Sequence, residues 1–237
     1  HQWHHWAANS KKYGFPEAVS VENAKNSNTT TFGIQKLLND SGLSQGVNLA
    51  IQSTNSRALE AIERKNISNE LYIELQHKFE KDGIATFTDI ILGLPEERYD
   101  SFVNGVCSLI ERGQNNSISY YNCLILPNSK MGDHEFQKKY GIKTSQHRSI
   151  ANHEQIMDEE VYELEDIIIG TNTLSTEDWR RAKAFAWESS LLYHRKLLQI
   201  PLTIAYDCYG VGFRKLFEAF IDVDGIQTPI LKEIIDF

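Results

Sequence analysis

The chain has 237 residues, which is enough for one sizeable hydrophobic core and at most a small additional unit. Its net charge of −8 argues against a nucleic acid as partner, because that partner would require a basic surface stripe. No apolar run approaches the roughly 20 residues that span a bilayer and no signal peptide is evident, so we expect a cytoplasmic protein without a membrane partner. The three cysteines, Cys107, Cys123 and Cys208, are too scattered for a disulfide framework or a metal-ligand spacing, and no metal site is predicted within the chain.

Four strand–helix units are predicted in the first two-thirds of the chain. The predicted strands are short apolar or β-branched runs at 18–22, 47–51, 85–92 and 118–126. Helical periodicity separates them at 29–43, at 55–83 (interpretable as two helices joined near Asn66) and at 101–113. Strands connected through helices require crossovers, so the sheet should be parallel. We therefore predict an α/β fold, a partial (β/α) TIM-like barrel whose functional residues lie at the C-terminal strand ends.

The pattern changes after Tyr140. The stretch 145–165 is polar and acidic, and 165–170 is predicted to form a short strand. A capping box at Ser175-Thr-Glu-Asp178 opens a helix that is predicted to run to about Leu198, and a last helix is predicted at 213–220. These patterns divide the chain into a half-barrel at 1–140 and a mostly helical region at 141–237.

Candidate ligand-contacting residues lie at the C-terminal ends of the predicted strands, which should meet at one edge of the sheet. They are Glu22 with Lys25 and Asn26, then Gln52 and Ser53, then Asp89 with Gly93-Leu94-Pro95, and finally Leu124. Arg64 lies on the helix after the second strand. An arginine pairs with a carboxylate, and acidic or amide groups accept from an amino group and from ribose hydroxyls. Gly93 would let the backbone approach a flat ring closely. The set suits a zwitterionic ligand that bears a ribose.

Three motifs in this order and spacing resemble the radical S-adenosylmethionine (SAM) superfamily, in particular the subgroup that often bears an N-terminal cobalamin-binding domain. They are Ile51-Gln-Ser53, Leu59-Glu-Ala-Ile-Glu-Arg64 and Asp89-Ile-Ile-Leu-Gly-Leu-Pro95. The likeness covers nearly the whole chain and is densest from Gly14 to Thr144.

The resemblance implies a role for each matching residue. Gln52 and Arg64 match a SAM-contacting pair, with Arg64 taking the methionyl carboxylate. Asp89 matches an acidic residue near the ribose or amino group. The remaining members of the implied SAM-binding set are Glu22 and Asn26 at the first strand end, Ser53 beside Gln52, and Gly93, Leu94, Pro95 and Leu124 beside the adenosine.

Two departures from the family pattern stand out. Residues 93–98 read Gly-Leu-Pro-Glu-Glu-Arg instead of Gly-Leu-Pro-Gly-Glu-Thr, which leaves any role of Glu97 open. The Cys-x3-Cys-x2-Cys loop that holds a [4Fe–4S] cluster in the superfamily is absent, and cluster ligation needs thiolates. The cluster ligands are therefore expected outside this chain, upstream of His1.

The resemblance also implies what the whole protein would do. A [4Fe–4S] cluster, reduced by a donor such as flavodoxin or ferredoxin, would cleave SAM to a 5′-deoxyadenosyl radical that modifies a small-molecule or peptide substrate. Cobalamin on a separate domain would extend this chemistry to methyl transfer. Three alternatives remain open at this point: a non-catalytic half-barrel docking module, a Schiff-base aldolase that uses Lys25, and a purely structural network of Gln52, Arg64 and Asp89.

Overall fold

The computed structural model describes residues 2–21, 29–148 and 163–221. The helices are α1 (Gln2–Tyr13), α2 (Thr29–Asp40), α3 (Ser56–Ala61), α4 (Asn69–Lys81), α5 (Tyr99–Glu111), α6 (His134–Tyr140), α7 (Thr176–Glu188), α8 (Gln199–Tyr209) and α9 (Phe213–Ile221). The strands are β1 (Val47–Asn48), β2 (Thr86–Leu92), β3 (Ser117–Asn122), β4 (Lys143–Arg148) and β5 (Leu164–Gly170). A 3-10 turn lies at Lys130–Gly132 and a π-helical turn at Ser189–His194.

A parallel three-stranded sheet with the order β1-β2-β3 forms the centre of the fold. A parallel bridge between Gln52 and Ile90 continues the pairing beyond the end of β1. Because each parallel neighbour is reached through a helix, the sheet confirms the predicted α/β fold. Of the predicted strand at 18–22, the described residues contribute a single bridge from Val19 to Ser44. Val19 donates to the Leu43 carbonyl in the turn after α2, so it contacts that turn and not a strand of the sheet.

Side-chain caps set several helix boundaries. Ser68 Oγ accepts from the Leu71 amide at 3.1 Å and starts α4, which confirms that the helical pattern at 55–83 divides into two helices near Asn66. Ser175 Oγ accepts from the Asp178 amide at 3.0 Å and starts α7. Both caps satisfy backbone donors that have no partner inside the helix.

One hydrophobic core joins the sheet to the C-terminal helices. Its buried members include Tyr72 and Phe79 of α4, Val106 of α5, Phe185 of α7 and Phe217 of α9. The rings of Phe185 and Phe217 meet edge to face with their centroids 5.5 Å apart. Residues from both sides of position 140 thus share a core, and the boundary proposed there stays a prediction.

A β-hairpin and an additional helix make the C-terminal region less uniformly helical than predicted. The strand predicted at 165–170 is present as β5 and pairs antiparallel with β4. An antiparallel bridge from Leu124 to Ile167 joins this hairpin to the end of the parallel sheet. Helix α8 was not among the predicted elements. Its Pro201 lies in the first turn, where proline is tolerated because the missing N–H has no partner inside the helix. None of the helices in the described ranges is long and apolar enough to cross a bilayer.

Candidate functional site

A cavity of about 580 Å³ lies at the C-terminal ends of the parallel strands. Alternate residues of two strands line it, namely Asn48, Ala50 and Gln52 from β1 and its continuation, and Asp89 and Ile91 from β2. The loop after β3 and helix α6 supply the opposite wall through Leu124, Ser129, Lys130, Met131 and Phe136. This is the position at which α/β sheets commonly hold small ligands, and the volume is in the range of such sites.

Five of the predicted site residues line this cavity together: Gln52, Arg64, Asp89, Leu94 and Leu124. They come from positions up to 72 residues apart in the sequence, and the strand ends bring them together. Three further predicted residues, Ser53, Gly93 and Pro95, are buried directly beside lining residues. Glu22, Lys25 and Asn26 lie outside the described residues.

Asn48 is a site residue that the sequence analysis missed. Its Nδ2 donates to the Asp89 carboxylate, and its Oδ1 is buried without a hydrogen-bond partner among the described residues. An orphaned buried acceptor is costly, so a ligand donor at this point would be stabilising. The available signal was the alternation of strand side chains, since Asn48 lies four residues before Gln52 and faces the same side of the sheet.

The backbone of Gln52 is held in a conformation that few non-glycine residues adopt. Its φ is 65°, and its amide donates to the Asp89 carbonyl at 2.9 Å while its carbonyl accepts from the Ile91 amide at 2.8 Å. Two ladder bonds to β2 therefore stabilise the left-handed conformation. They fix the Gln52 side chain beside Asp89 at the cavity.

Gly93 permits a close approach of protein backbone. Its φ is 97°, and a Cβ built there would lie 2.9 Å from the carbonyl oxygen of Ile168 in β5. The sequence predicted that this glycine lies against a ligand ring, but the backbone it approaches is that of the hairpin, and it is not among the residues that line the cavity. Leu94, the next residue, provides the apolar side chain that does.

A buried carboxylate lies behind the cavity. Glu97 is 1% exposed and accepts hydrogen bonds from Ser53 Oγ at 2.5 Å, from Asn55 Nδ2 at 3.2 Å and from Ser101 Oγ. Asn66 Nδ2 in turn donates to the Ser53 carbonyl at 2.7 Å. Glu97, whose role the sequence left open, therefore connects the end of the β1 segment with the loop that follows β2.

Charge is unevenly placed around the cavity. Arg64 is exposed at the rim, next to the ion pair of Glu63 with Lys130, whereas Asp89 lies deeper between two strands. Cys123 is in the wall, but burial raises the pKa of its thiol to about 12, so it is not a thiolate at neutral pH. No group of three His, Cys, Asp or Glu side chains in the described ranges is arranged to hold a metal ion. The arrangement suits binding of a ligand that carries both charges.

Two curated proteins match most of the chain, while no family model matches it. The chain is 32% identical over 209 residues to a cobalamin-dependent radical SAM methyltransferase, TokK, of Streptomyces tokunonensis. It is 39% identical over 208 residues to a 2-(S-pantetheinyl)-carbapenam-3-carboxylate methyltransferase of Streptantibioticus cattleyicolor. The matches cover 88% and 86% of this chain but 30% of each relative, so the chain corresponds to a part of such proteins.

A solved structure shows the same fold. The radical SAM methyltransferase TsrM from Kitasatospora setae, with cobalamin and a [4Fe–4S] cluster bound, aligns over 99% of this chain and 47% of its own length. The TM-score is 0.52 and the sequence identity 13%, which supports a common architecture and nothing finer.

Proposed function

We propose that this chain belongs to the radical SAM superfamily and supplies the SAM-binding wall of a methyltransferase, because it matches part of a cobalamin-dependent radical SAM methyltransferase and part of a second methyltransferase. The observation that carries the proposal is the convergence of Gln52, Arg64 and Asp89 on one cavity. The whole protein would be a methyltransferase that uses SAM, a [4Fe–4S] cluster and cobalamin.

The residues around the cavity fit the chemistry of SAM. The ligand carries a carboxylate, an ammonium group, ribose hydroxyls and an apolar adenine. The cavity offers the exposed guanidinium of Arg64, the carboxylate of Asp89, the orphaned Oδ1 of Asn48 and the apolar side chain of Leu94. Each polar part of the ligand thus has a complementary group.

Each residue has a distinct task in this proposal. Arg64 holds the methionyl carboxylate at the rim. Asp89 and Gln52 accept from the ribose hydroxyls or the ammonium group, and Asn48 orients the Asp89 carboxylate through its Nδ2. Leu94 and Leu124 pack against the adenine and keep water from that face. When bound, SAM would supply the methyl group or, after one-electron reduction by a cluster held elsewhere, the 5′-deoxyadenosyl radical; these side chains would set its position.

The described residues do not fit the cluster itself. Burial raises the pKa of the Cys107 and Cys123 thiols to about 12, and Cys208 is exposed. A thiolate site for iron is not formed by these side chains, and the proposal places the cluster ligands elsewhere in the full-length protein. Lys25, which the aldolase alternative needs, lies outside the described residues, and no described contact favours that alternative.

Calorimetry on the full-length, anaerobically reconstituted protein tests the proposal. Arg64→Ala should raise the SAM dissociation constant by about 10-fold to 100-fold, because a charge-assisted hydrogen bond to the carboxylate is lost. Arg57→Ala is the matched control, since Arg57 is exposed on α3 and does not line the cavity. Equal SAM affinity of both variants and the wild type would remove Arg64 from the site.

A second measurement separates the enzyme from a non-catalytic module. After reduction, an enzyme of the proposed kind forms 5′-deoxyadenosine from SAM, which chromatography detects. A module that only binds SAM would show the same calorimetric result and no such product. At low SAM concentration, Arg64→Ala should form less 5′-deoxyadenosine than the wild type. At saturating SAM it should form as much as the wild type.

A further inference from the structure

A second cavity, of about 440 Å³, lies between β3 and the C-terminal helices. Residues 116–120 form one wall, and α7 with the π-helical turn forms the other. The side chains that matter for its chemistry are Lys183, Trp187, His194 and Arg195. None of the residues of the first cavity is among its lining residues.

The lining of this cavity is positively charged in an acidic protein. Lys183 and Arg195 both line it, and no carboxylate does among the residues that the structure describes. Lys183 Nζ donates to the neutral amide oxygen of Asn122 at 2.9 Å, and burial lowers its pKa. A half-buried ammonium group without a carboxylate partner is under-compensated. An anion in the cavity would supply the missing charge.

His194 adds a neutral hydrogen-bonding group. It lines the cavity and is 7% exposed, yet neither Nδ1 nor Nε2 has a hydrogen-bond partner among the described residues. Burial lowers its pKa to about 4, so the ring is neutral at pH 7 and carries one N–H donor. Buried polar groups in folded proteins nearly always have partners, and two orphaned nitrogens on one ring therefore call for an explanation.

Trp187 supplies an apolar surface at the same cavity. Its side chain is 49% exposed, which is unusual for the largest aromatic residue. Small-molecule pockets commonly combine aromatic side chains with a few charged groups that fix the orientation of the ligand. Ser117 and Ser119 of β3 also line the cavity.

From these features we propose that the second cavity binds a small organic anion, with its carboxylate or phosphate oxygens on Lys183 and Arg195 and its flat apolar body against Trp187. His194 donates the neutral hydrogen bond. The Lys183–Asn122 hydrogen bond lies between this cavity and the first one, because Asn122 lines the first cavity. Only the side chain of Asn122 therefore separates the anion on Lys183 from the cavity proposed for SAM. The anion contacts no residue of that first cavity, so we expect it to bind whether or not SAM is present.

Titration of two probes into the full-length protein tests this proposal. Phenylacetate carries a carboxylate and phenyl phosphate carries a phosphate on the same ring. Both are followed by calorimetry and by tryptophan fluorescence, with and without saturating SAM so that the first cavity is kept filled. We expect one-to-one binding of at least one probe that weakens with salt. The probe that binds identifies the anionic group.

Variants locate the site. Arg195→Gln and Lys183→Gln should each raise the dissociation constant of the bound probe about tenfold, as expected for the loss of one charge-assisted hydrogen bond. Arg180→Gln is the matched control, because Arg180 is an exposed residue of α7 that pairs with Glu177 and does not line the cavity. Arg195→Gln should leave SAM affinity unchanged.

Two results would overturn the proposal. One is the absence of saturable binding of either probe to the wild-type protein. The other is equal probe binding in Arg195→Gln, Lys183→Gln and Arg180→Gln. A protein that binds the probe as expected but shows no affinity for SAM would refute the proposed function and leave the second cavity assigned.

Discussion

Ser53 Oγ donates a hydrogen bond to Glu97 Oε2 at 2.5 Å, in a place where both side chains are at most 2% exposed. The two residues belong to different strand–helix units, 44 positions apart. Their contact ties the segment that carries Gln52 to the loop that carries Leu94, and both of those residues line the first cavity. The geometry of the proposed SAM site thus depends on a carboxylate that does not line it.

A double-mutant cycle measures this contact. Glu97→Ala should lower the free energy of unfolding by about 2–4 kcal/mol, because it leaves the buried Ser53 hydroxyl without its acceptor and removes the hydrogen bonds from Asn55 and Ser101. Ser53→Ala should cost about 1–2 kcal/mol, and the double variant should cost less than the sum. Urea unfolding followed by circular dichroism gives these values. Glu60→Ala is the control, because Glu60 is exposed on α3 and its removal should change the free energy of unfolding little. If the losses of Glu97→Ala and Ser53→Ala add exactly in the double variant, the two side chains are not coupled.

The hairpin contact of Gly93 predicts an unequal response of two glycines. Gly93→Ala brings Cβ to 2.9 Å from the Ile168 carbonyl oxygen at a φ of 97°. Gly83 has a φ of 68° and open space at the Cβ position. We expect Gly83→Ala to cost about 1 kcal/mol from backbone strain alone and Gly93→Ala to cost about 2–4 kcal/mol because the hairpin must also shift. Thermal unfolding compares the two variants. An equal loss of stability in both would show that the hairpin shifts away from the new Cβ at no energetic cost.

Glu188 predicts a pH dependence of stability. It is 4% exposed, and burial raises its pKa to about 7 from the usual value near 4.5. The folded protein therefore holds this proton more tightly than the unfolded chain. The contribution of the protonated Glu188 to the free energy of unfolding is fully present below about pH 4.5 and is lost as the pH rises through about 7. Relative to Glu188→Gln, the wild type should lose up to about 3 kcal/mol between pH 4.5 and pH 8.

The measurement for Glu188 is the difference in urea unfolding free energy between the wild type and Glu188→Gln at each pH. Taking the difference removes the opposite dependence of His194, which is common to both proteins. Glu177→Gln, at an exposed position of the same helix, is the control variant. A pH dependence for Glu188→Gln no larger than that for Glu177→Gln would show that burial does not raise the pKa of the Glu188 carboxyl.

The contacts of Arg214 hold helix α9 against helix α5, and their contribution to stability can be measured. Its guanidinium contacts Asp100 at 2.6 Å and Asn104 at 3.1 Å on α5, and Glu218 at 3.0 Å on its own helix. Because Asp100 is largely exposed, we expect Arg214→Ala to cost only about 1 kcal/mol, against no measurable change for Arg180→Ala. Amide hydrogen exchange in α9 should accelerate in Arg214→Ala alone. Unchanged exchange would show that the aromatic core by itself holds the helix.

Local patterns in the sequence were sufficient for much of the architecture. Alternating strand and helix periods required crossovers and hence parallel pairing, and Ser175 marked the start of α7 through its own cap. Since parallel strands end at one edge, the sequence also indicated that Gln52, Arg64 and Asp89 would meet, and they line one cavity. These features depend on residues close in the chain or on a general rule of topology.

The tertiary structure alone decided the contacts that join distant segments. The polar strand β4 has no apolar alternation, so only its pairing with β5 identifies it. Groups that lie far apart in the sequence also form the contacts of Glu97 and the cationic cavity beside His194. The same holds for the environment of Asn48, whose Oδ1 has no partner within the part of the chain that the structure describes. Burial and hydrogen-bond satisfaction are properties of the packed molecule, and a side chain's type does not reveal whether its partner will be present. The sequence thus determined the order of the elements and one shared edge, while packing determined which polar groups found partners there and which have none among the described residues.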